Sequence, residues 1–123
     1  MITIDEMQVM LDELAEELPE VFFHKLNGGI ILLPEALESP YSQSGDLYTL
    51  GTYHHGGSMG NYISIYYGSF EKLFSNLNEE SIKVKLREVL RHEFKHHMET
   101  MGGEKGLVHE DEKYIDDYLS KKK

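Results

Sequence analysis

The sequence predicts an α+β fold in a single domain over residues 1–123, with helices at both ends and a small, mainly antiparallel sheet between them. Three observations lead to this prediction. Apolar residues recur at helical spacing near the N-terminus, short β-branched and aromatic runs fill the middle, and the longest helical pattern follows them. Segregated helices and strands are typical of α+β proteins. A chain of 123 residues buries enough surface for one hydrophobic core.

The first element is predicted as an amphipathic helix over residues 4–18. Acidic residues occupy its outer face, and apolar residues recur on the other: Met7, Met10, Leu11, Leu14 and Leu18. Asp5 is a reasonable N-cap. Pro19 can end this helix or open a short second helix over residues 19–26, which the glycine pair 28–29 would end.

Three runs in the middle of the chain are predicted as strands. The run Gly29–Leu33 is apolar, β-branched and flanked by breakers, so a buried strand is expected there. A polar loop is predicted over residues 35–46. The runs 47–54 and 62–67 are predicted to pair as an antiparallel hairpin, with residues 55–61 as a connection longer than a tight turn.

The longest predicted helix begins at Asn78, a good N-cap followed by two glutamates, and runs to about Met101. The glycine pair 102–103 is a stop signal for it. A short helix is expected over residues 69–77, before the long one, and a final helix over residues 107–119.

Composition excludes several classes of protein. With 22 Asp and Glu against 12 Lys and Arg, the net charge is −10, so a nucleic-acid partner is not expected. The absence of Cys excludes disulfides and thiolate zinc sites. No apolar run approaches the ~18 residues of a membrane span, and the acidic N-terminus does not resemble a secretory signal. We therefore expect a cytoplasmic protein with no membrane partner.

The motif His92-Glu93-Phe94-Lys95-His96 carries the chemistry. It has the form HExxH. Histidines at positions i and i+4 of a helix project from one face, so both imidazoles can reach one metal ion. Glu93 lies to one side of them, where its carboxylate can take a proton from a metal-bound water without being a ligand.

The helical wheel separates this pair from the apolar face of the long helix. His92 and His96 fall off the centre of the apolar arc, and Glu93 falls beside it. A helix that lines a cleft would show this arrangement. His97 falls inside the arc, which favours a core histidine bonded to a carbonyl or a carboxylate.

A catalytic zinc ion needs a third protein ligand and an open position for water. The short metzincin spacing is absent, because position 99, which would hold its glycine, is Glu. A turn at the glycine pair would bring residues 108–112 back over the site. The candidate ligands are Glu99, Glu104, His109, Glu110, Asp111 and Glu112. Asp111 is favoured, then Glu110, with His109 more suited to orienting a ligand or stabilising an oxyanion.

At these residues the sequence resembles the small bacterial zincin-like metallopeptidases. The specific segments are LNGGIILLPEA, at residues 26–36, and HEFKHH, which lies within the similar stretch 91–111. The predicted strands LYTLGTYH and YISIYYGSF add to the likeness. The resemblance implies a minimal zincin fold, with a short sheet packed on an active-site helix and a backing helix. It also implies Zn²⁺ at His92 and His96, Glu93 as the base, and a ligand aspartate that corresponds to Asp111 after an insertion.

The leading hypothesis is therefore a zinc-dependent metallopeptidase acting on a peptide or protein. The hairpin strand nearest the helix would hold an extended peptide by strand addition, and Tyr66 or His109 would stabilise the oxyanion. The alternative is a catalytically inactive binding module that kept the fold with a vestigial or structural metal site. The acidic surface and the His54-His55 pair would then belong to its interaction surface.

Overall fold

The computed structural model describes residues 1–42, 45 and 47–103. The described chain is α+β, with helices packed on a small mixed sheet. Its elements, in chain order, are α1 (Ile4–Glu16), a 3₁₀ turn (Glu20–Phe23), β1 (Gly29–Leu33), β2 (Leu37–Glu38), β3 (Tyr48–Thr49), β4 (Gly51–Gly57), β5 (Gly60–Tyr66), α2 (Tyr67–Phe74) and α3 (Glu79–Gly103). The predicted final helix over residues 107–119 lies outside the described residues.

Helix α1 confirms the predicted amphipathic pattern, but the predicted N-cap is wrong. Thr3, and not Asp5, caps the helix: its hydroxyl accepts from the N–H of Glu6, whose carboxylate accepts from the N–H of Thr3. This reciprocal arrangement is a capping box, and the Thr-x-x-Glu spacing that builds it was present in the sequence. The second predicted helix is a single 3₁₀ turn after Pro19.

The three-stranded sheet is mixed, which corrects the mainly antiparallel prediction. Its strand order is β1-β5-β4, with β1 parallel to β5 and β4 antiparallel to β5. Strand β5 is central, and residues on both of its faces are buried. Such a strand needs small or apolar side chains on both faces, as Ser64 and Ile65 illustrate.

The β4–β5 hairpin is tighter than predicted. Strand β4 continues through His55 and Gly56, so only Ser58 and Met59 connect the strands. A register irregularity between His54 and Gly57 absorbs the extra residues. The prediction of a loop over residues 35–46 is wrong in part, because Leu37–Glu38 (β2) is a strand that pairs with β3 in a two-stranded ribbon.

Helix α3 begins where the sequence predicts. The Asn78 side chain accepts from the N–H of Ser81, and its carbonyl accepts from the N–H of Ile82. The glycine pair 102–103 is helical, so the predicted stop before it is wrong. One face of α3 packs on the core through fully buried residues such as Leu86 and Phe94.

Helices α1 and α3 are joined at their polar surfaces by ion pairs. Lys83 bonds Glu13 at 3.2 Å, and Arg87 bonds both carboxylate oxygens of Glu17 at 3.1 Å. The Arg87 hydrogen bonds hold the pKa of the Glu17 carboxyl below its usual range. No helix of the described chain is long and apolar enough to cross a membrane. The cytoplasmic location stays a prediction.

Candidate metal centre

His92 and His96 lie on the exposed face of α3, as the wheel predicts. Their rings meet edge to face, at an interplanar angle of 85° with centroids 4.6 Å apart. The two Nε2 atoms are 3.1 Å apart. Two nitrogens bound at 2.0–2.1 Å to one tetrahedral zinc ion lie about 3.3 Å apart. The pair is thus spaced for a shared ion, and an N–H···N hydrogen bond spans the same gap in the metal-free protein.

Glu99 lies on the other side of the His96 ring. Its Oε1 is 3.4 Å from His96 Nδ1, with both side chains about half exposed (47% and 63%). A carboxylate at Nδ1 favours the tautomer in which Nδ1 carries the proton and Nε2 presents a lone pair. Glu99, one of the candidate ligands, is therefore placed to orient His96.

Glu93 lies between α3 and the sheet and is only 6% exposed. The backbone N–H of Tyr53 donates a hydrogen bond to its carboxylate. Burial raises the pKa of the Glu93 carboxyl above its usual range, and the neighbouring histidines and the Tyr53 N–H offset part of that rise. The predicted base is thus buried and held beside the strand, next to the exposed histidine pair.

The Tyr53 N–H that bonds the Glu93 carboxylate belongs to β4, an edge strand of the three-stranded sheet in the described chain. The N–H of Tyr66 donates to the carbonyl of Leu50, so residue 50 faces β5 with its hydrogen-bonding groups. Because these groups alternate along an antiparallel strand, those of Gly51 and Tyr53 point to the outer side. The bond from the Tyr53 N–H to Glu93 is made on that side.

Gly51 brings the strand close to the helix. A Cβ atom at this position would lie 2.8 Å from Val89 Cγ1, 3.2 Å from Ile65 Cδ1 and 3.4 Å from Glu93 Cγ. Any larger side chain would push β4 away from α3. Sequence reasoning missed Gly51 as a site residue, since a glycine within a strand pattern indicates a close approach without saying to what.

His97 confirms the prediction of a core histidine bonded to a carbonyl. It is fully buried, and its Nε2–H donates to the carbonyl of His24 at 2.8 Å. Its Nδ1 accepts from the hydroxyl of Tyr53, also at 2.8 Å. The bond to the carbonyl fixes the ring tautomer, so the hydroxyl of Tyr53 must be the donor. Tyr53 therefore connects β4 to both Glu93 and His97.

The third ligand is not found in the part of the chain that the structure describes. No group of three His, Asp or Glu side chains able to hold a metal occurs among the described residues. The candidates Glu104, His109, Glu110, Asp111 and Glu112 lie outside them, so these assignments stay predictions.

The remaining predicted functional residues lie elsewhere in the fold. Tyr66, a candidate oxyanion donor, is a buried residue of the central strand. His54 stacks on Tyr62, with ring centroids 4.1 Å apart, and its Nε2 is 3.0 Å from Ser64 Oγ. His55 bonds Asn61 at 2.9 Å. The structure therefore gives the His54-His55 pair contacts within its own hairpin.

An open cavity of about 340 Å³ adjoins the site. It lies between the start of β4 and residues 88–93 of α3, which lead into the motif. Its walls are formed by Leu50, Gly51, Glu88, Val89, His92 and Glu93. A ligand in this cavity would contact one of the two histidines and the predicted base together.

Comparisons with known proteins support the fold without assigning an activity. No family model matches the sequence, and no curated protein matches it. A solved structure of a conserved hypothetical protein from Thermus thermophilus is similar, with a TM-score of 0.69 and 29% identity. The match covers 83% of this chain and 99% of that one. Nothing in that protein's description assigns it an activity.

Proposed function

We propose that this protein is a zinc-dependent metallopeptidase with a minimal zincin-like fold. One observation carries the proposal: the two histidine Nε2 atoms of the motif converge to 3.1 Å on the exposed face of α3, beside a buried glutamate. The outer side of the edge strand runs next to that glutamate, so a base, a metal-competent pair and a place for a peptide occur together.

The residues present fit a zinc ion. Imidazole nitrogens are zinc ligands, and their separation suits a single ion. Glu99 at Nδ1 of His96 supplies the carboxylate partner that zinc-bound histidines commonly have. Asp111 is the proposed third ligand, with Glu110 as the alternative. This set contains only nitrogen and oxygen donors, as in hydrolytic zinc enzymes.

Zinc, when bound, acidifies a water molecule and polarises the scissile carbonyl. Glu93 takes the proton that the attacking water loses and delivers it to the leaving amine as the peptide bond breaks. The Tyr53 N–H holds the carboxylate in place for this transfer. Burial favours the protonated form of Glu93, which helps it both to accept the proton and to hold it until the amine leaves.

The outer side of β4 would bind the substrate in an extended conformation. The N–H of Tyr53 is already bonded to Glu93, so a peptide would exchange its hydrogen bonds with the N–H and C=O of Gly51. This places the peptide backbone next to the base, in the orientation of an added antiparallel strand.

Metal analysis and one substitution test the proposal. Purified protein prepared without chelator is expected to contain about one zinc per chain and to cleave members of a peptide library. Glu93→Gln is expected to keep the zinc and to lower cleavage about a hundredfold or more, because only proton transfer is removed. Glu80→Gln, at the exposed first turn of the same helix, is the matched control and should cleave as the wild type does.

Three outcomes separate the alternatives. Cleavage that survives Glu93→Gln would overturn the peptidase mechanism. Bound zinc without cleavage of any library member would favour a binding module with a structural or vestigial metal site. Asp111→Asn and Glu110→Gln are compared in the same metal analysis, and loss of zinc in the first alone would support Asp111 as the third ligand.

A further inference from the structure

The cavity beside the motif has a composition that suits a particular kind of side chain. Leu50 of the segment before β4 and Val89 of α3 give it apolar walls, and the backbone of Gly51 also lines it. Its volume of about 340 Å³ is large enough for one long side chain.

A carboxylate lies at the open side of this cavity. Glu88 is exposed and lies one helical turn before His92, so the two side chains share a face of α3. Glu93 adds a second carboxylate at the inner end. No Lys or Arg occurs among the described lining residues, so the Glu88 carboxylate makes the electrostatic potential at the open side of the cavity favourable for a cation.

Three of the basic residues of the same helix are engaged with α1. Lys83, Arg87 and Arg91 are spaced four residues apart and pair with Glu13 and Glu17 of α1. These three cations therefore face α1 and not the cavity, whose described lining contains no Lys or Arg.

Resting on the proposed peptidase function, we propose that this cavity is a side-chain subsite that selects Lys or Arg in the substrate. The aliphatic stem of such a side chain packs between Leu50 and Val89, and its charged end reaches the carboxylate of Glu88. Lys and Arg combine an apolar stem with a charged tip, so they match both parts of the cavity. Acidic side chains are disfavoured by the same carboxylate.

The test measures binding, separately from cleavage. The zinc-loaded Glu93→Gln protein is titrated into fluorescent peptides that are identical except for one central residue: Lys, Arg, Leu or Glu. The Lys and Arg peptides are expected to bind roughly two- to fivefold more tightly than the Leu peptide, which is the range of a solvent-exposed ion pair. The Glu peptide is expected to bind most weakly.

Two substitutions at one position assign this preference to Glu88. In the same background, Glu88→Gln is expected to remove the Lys and Arg advantage, and Glu88→Lys to transfer it to the Glu peptide. Glu80→Lys is the matched control, since it makes the same charge reversal at an exposed position near the start of α3. It should leave the order of affinities unchanged.

The outcomes distinguish this proposal from the proposed function. Equal affinity for the four peptides, no binding of any of them, or a preference that Glu88→Lys leaves unchanged would overturn the subsite, even if the wild type cleaves peptides. A Glu88-dependent preference in a protein that cleaves no peptide would support the subsite and remove the peptidase activity. Cleavage by the wild type next to basic residues, lost with Glu88→Lys, would support both.

Discussion

Three histidines within six residues of α3 have contrasting environments. His97 is fully buried, and both of its ring nitrogens have partners that belong to the fold: the hydroxyl of Tyr53 and the carbonyl of His24. His92 and His96 are exposed, and their Nε2 atoms meet each other. The fold therefore requires His97, whereas nothing in the core depends on the other two.

The difference lies between a histidine that the fold requires and the pair that we propose binds zinc. A buried imidazole must satisfy both nitrogens, because an unpaired polar atom in the core costs about 1–3 kcal/mol. An exposed imidazole has no such requirement, because water can solvate it. The two exposed rings are therefore joined by a hydrogen bond of their own and by no contact that the core requires.

The largest expected effect is on folding. His97→Ala should lower the free energy of unfolding by about 3 kcal/mol, because it leaves a cavity and takes away the partner of Tyr53 and of the His24 carbonyl. His92→Ala should change it by less than about 0.5 kcal/mol in metal-free protein, as exposed substitutions usually do. Urea unfolding followed by circular dichroism measures both values. Equal losses in the two variants would contradict the comparison.

Zinc should make the stability of the protein depend on His92 and His96 as well. At a free zinc concentration one hundred times its Kd, the wild type should gain about 2.7 kcal/mol in unfolding free energy. His92→Ala and His96→Ala should each lose this gain, because either change leaves one imidazole of the pair. Thermal unfolding with and without zinc measures the shift.

His24→Ala is the matched control for the zinc experiment. The His24 side chain is exposed, and the fold uses its backbone carbonyl, which the substitution keeps. This variant should retain the full zinc-dependent shift. A shift that survived in His92→Ala would place the zinc at another group of residues.

Much of the fold could be predicted from local patterns. Periodicity and capping depend on neighbours in sequence. They predict the apolar face of α1, the strand Gly29–Leu33 and the start of α3 at Asn78. The parallel pairing of β1 with β5 could not be predicted, since it joins residues more than 30 positions apart. Adjacent β-rich runs indicate a hairpin, and they do not say which distant strand lies on its other side.

The candidate site also has one part that local sequence patterns predict and another part that they do not. The motif and the wheel place His92, Glu93 and His96 correctly relative to the core, because all three belong to one helix. The contacts from β4 could not be predicted: the Tyr53 N–H on Glu93 and the close approach at Gly51 depend on how the sheet packs on α3. Sequence identifies the residues on the helix, and tertiary packing supplies their partners.

The burial of the Glu93 carboxyl should make the stability of the protein depend on pH. Its pKa in the folded state is raised above the ordinary value of 4.5, chiefly by burial, so the folded protein binds that proton more tightly than the unfolded chain does. Stability from this group is present below about pH 4.5 and is lost as the pH rises through the folded pKa. Glu93→Gln in metal-free protein should therefore gain stability relative to the wild type as the pH rises.

Urea unfolding between pH 4 and pH 8 measures this trend, with Glu80→Gln reporting the loss of a carboxylate at an exposed position of the same helix. A stability difference between Glu93→Gln and wild type that stayed constant over this range would contradict the burial argument. It would mean that the Tyr53 N–H and the two histidines fully offset the desolvation of the carboxylate.

The smallest expected effect separates an orienting residue from a ligand. Glu99→Gln should weaken zinc binding about threefold, because the carboxylate contacts His96 Nδ1 while both side chains are largely exposed. Competition with a chromogenic chelator measures the change. If Glu99→Gln abolished zinc binding as completely as His92→Ala, Glu99 would be a ligand, and the ion would be held by α3 alone. A threefold loss instead leaves the third ligand position to Asp111 or Glu110, because a residue that only orients His96 can modulate the affinity of the pair without replacing a donor.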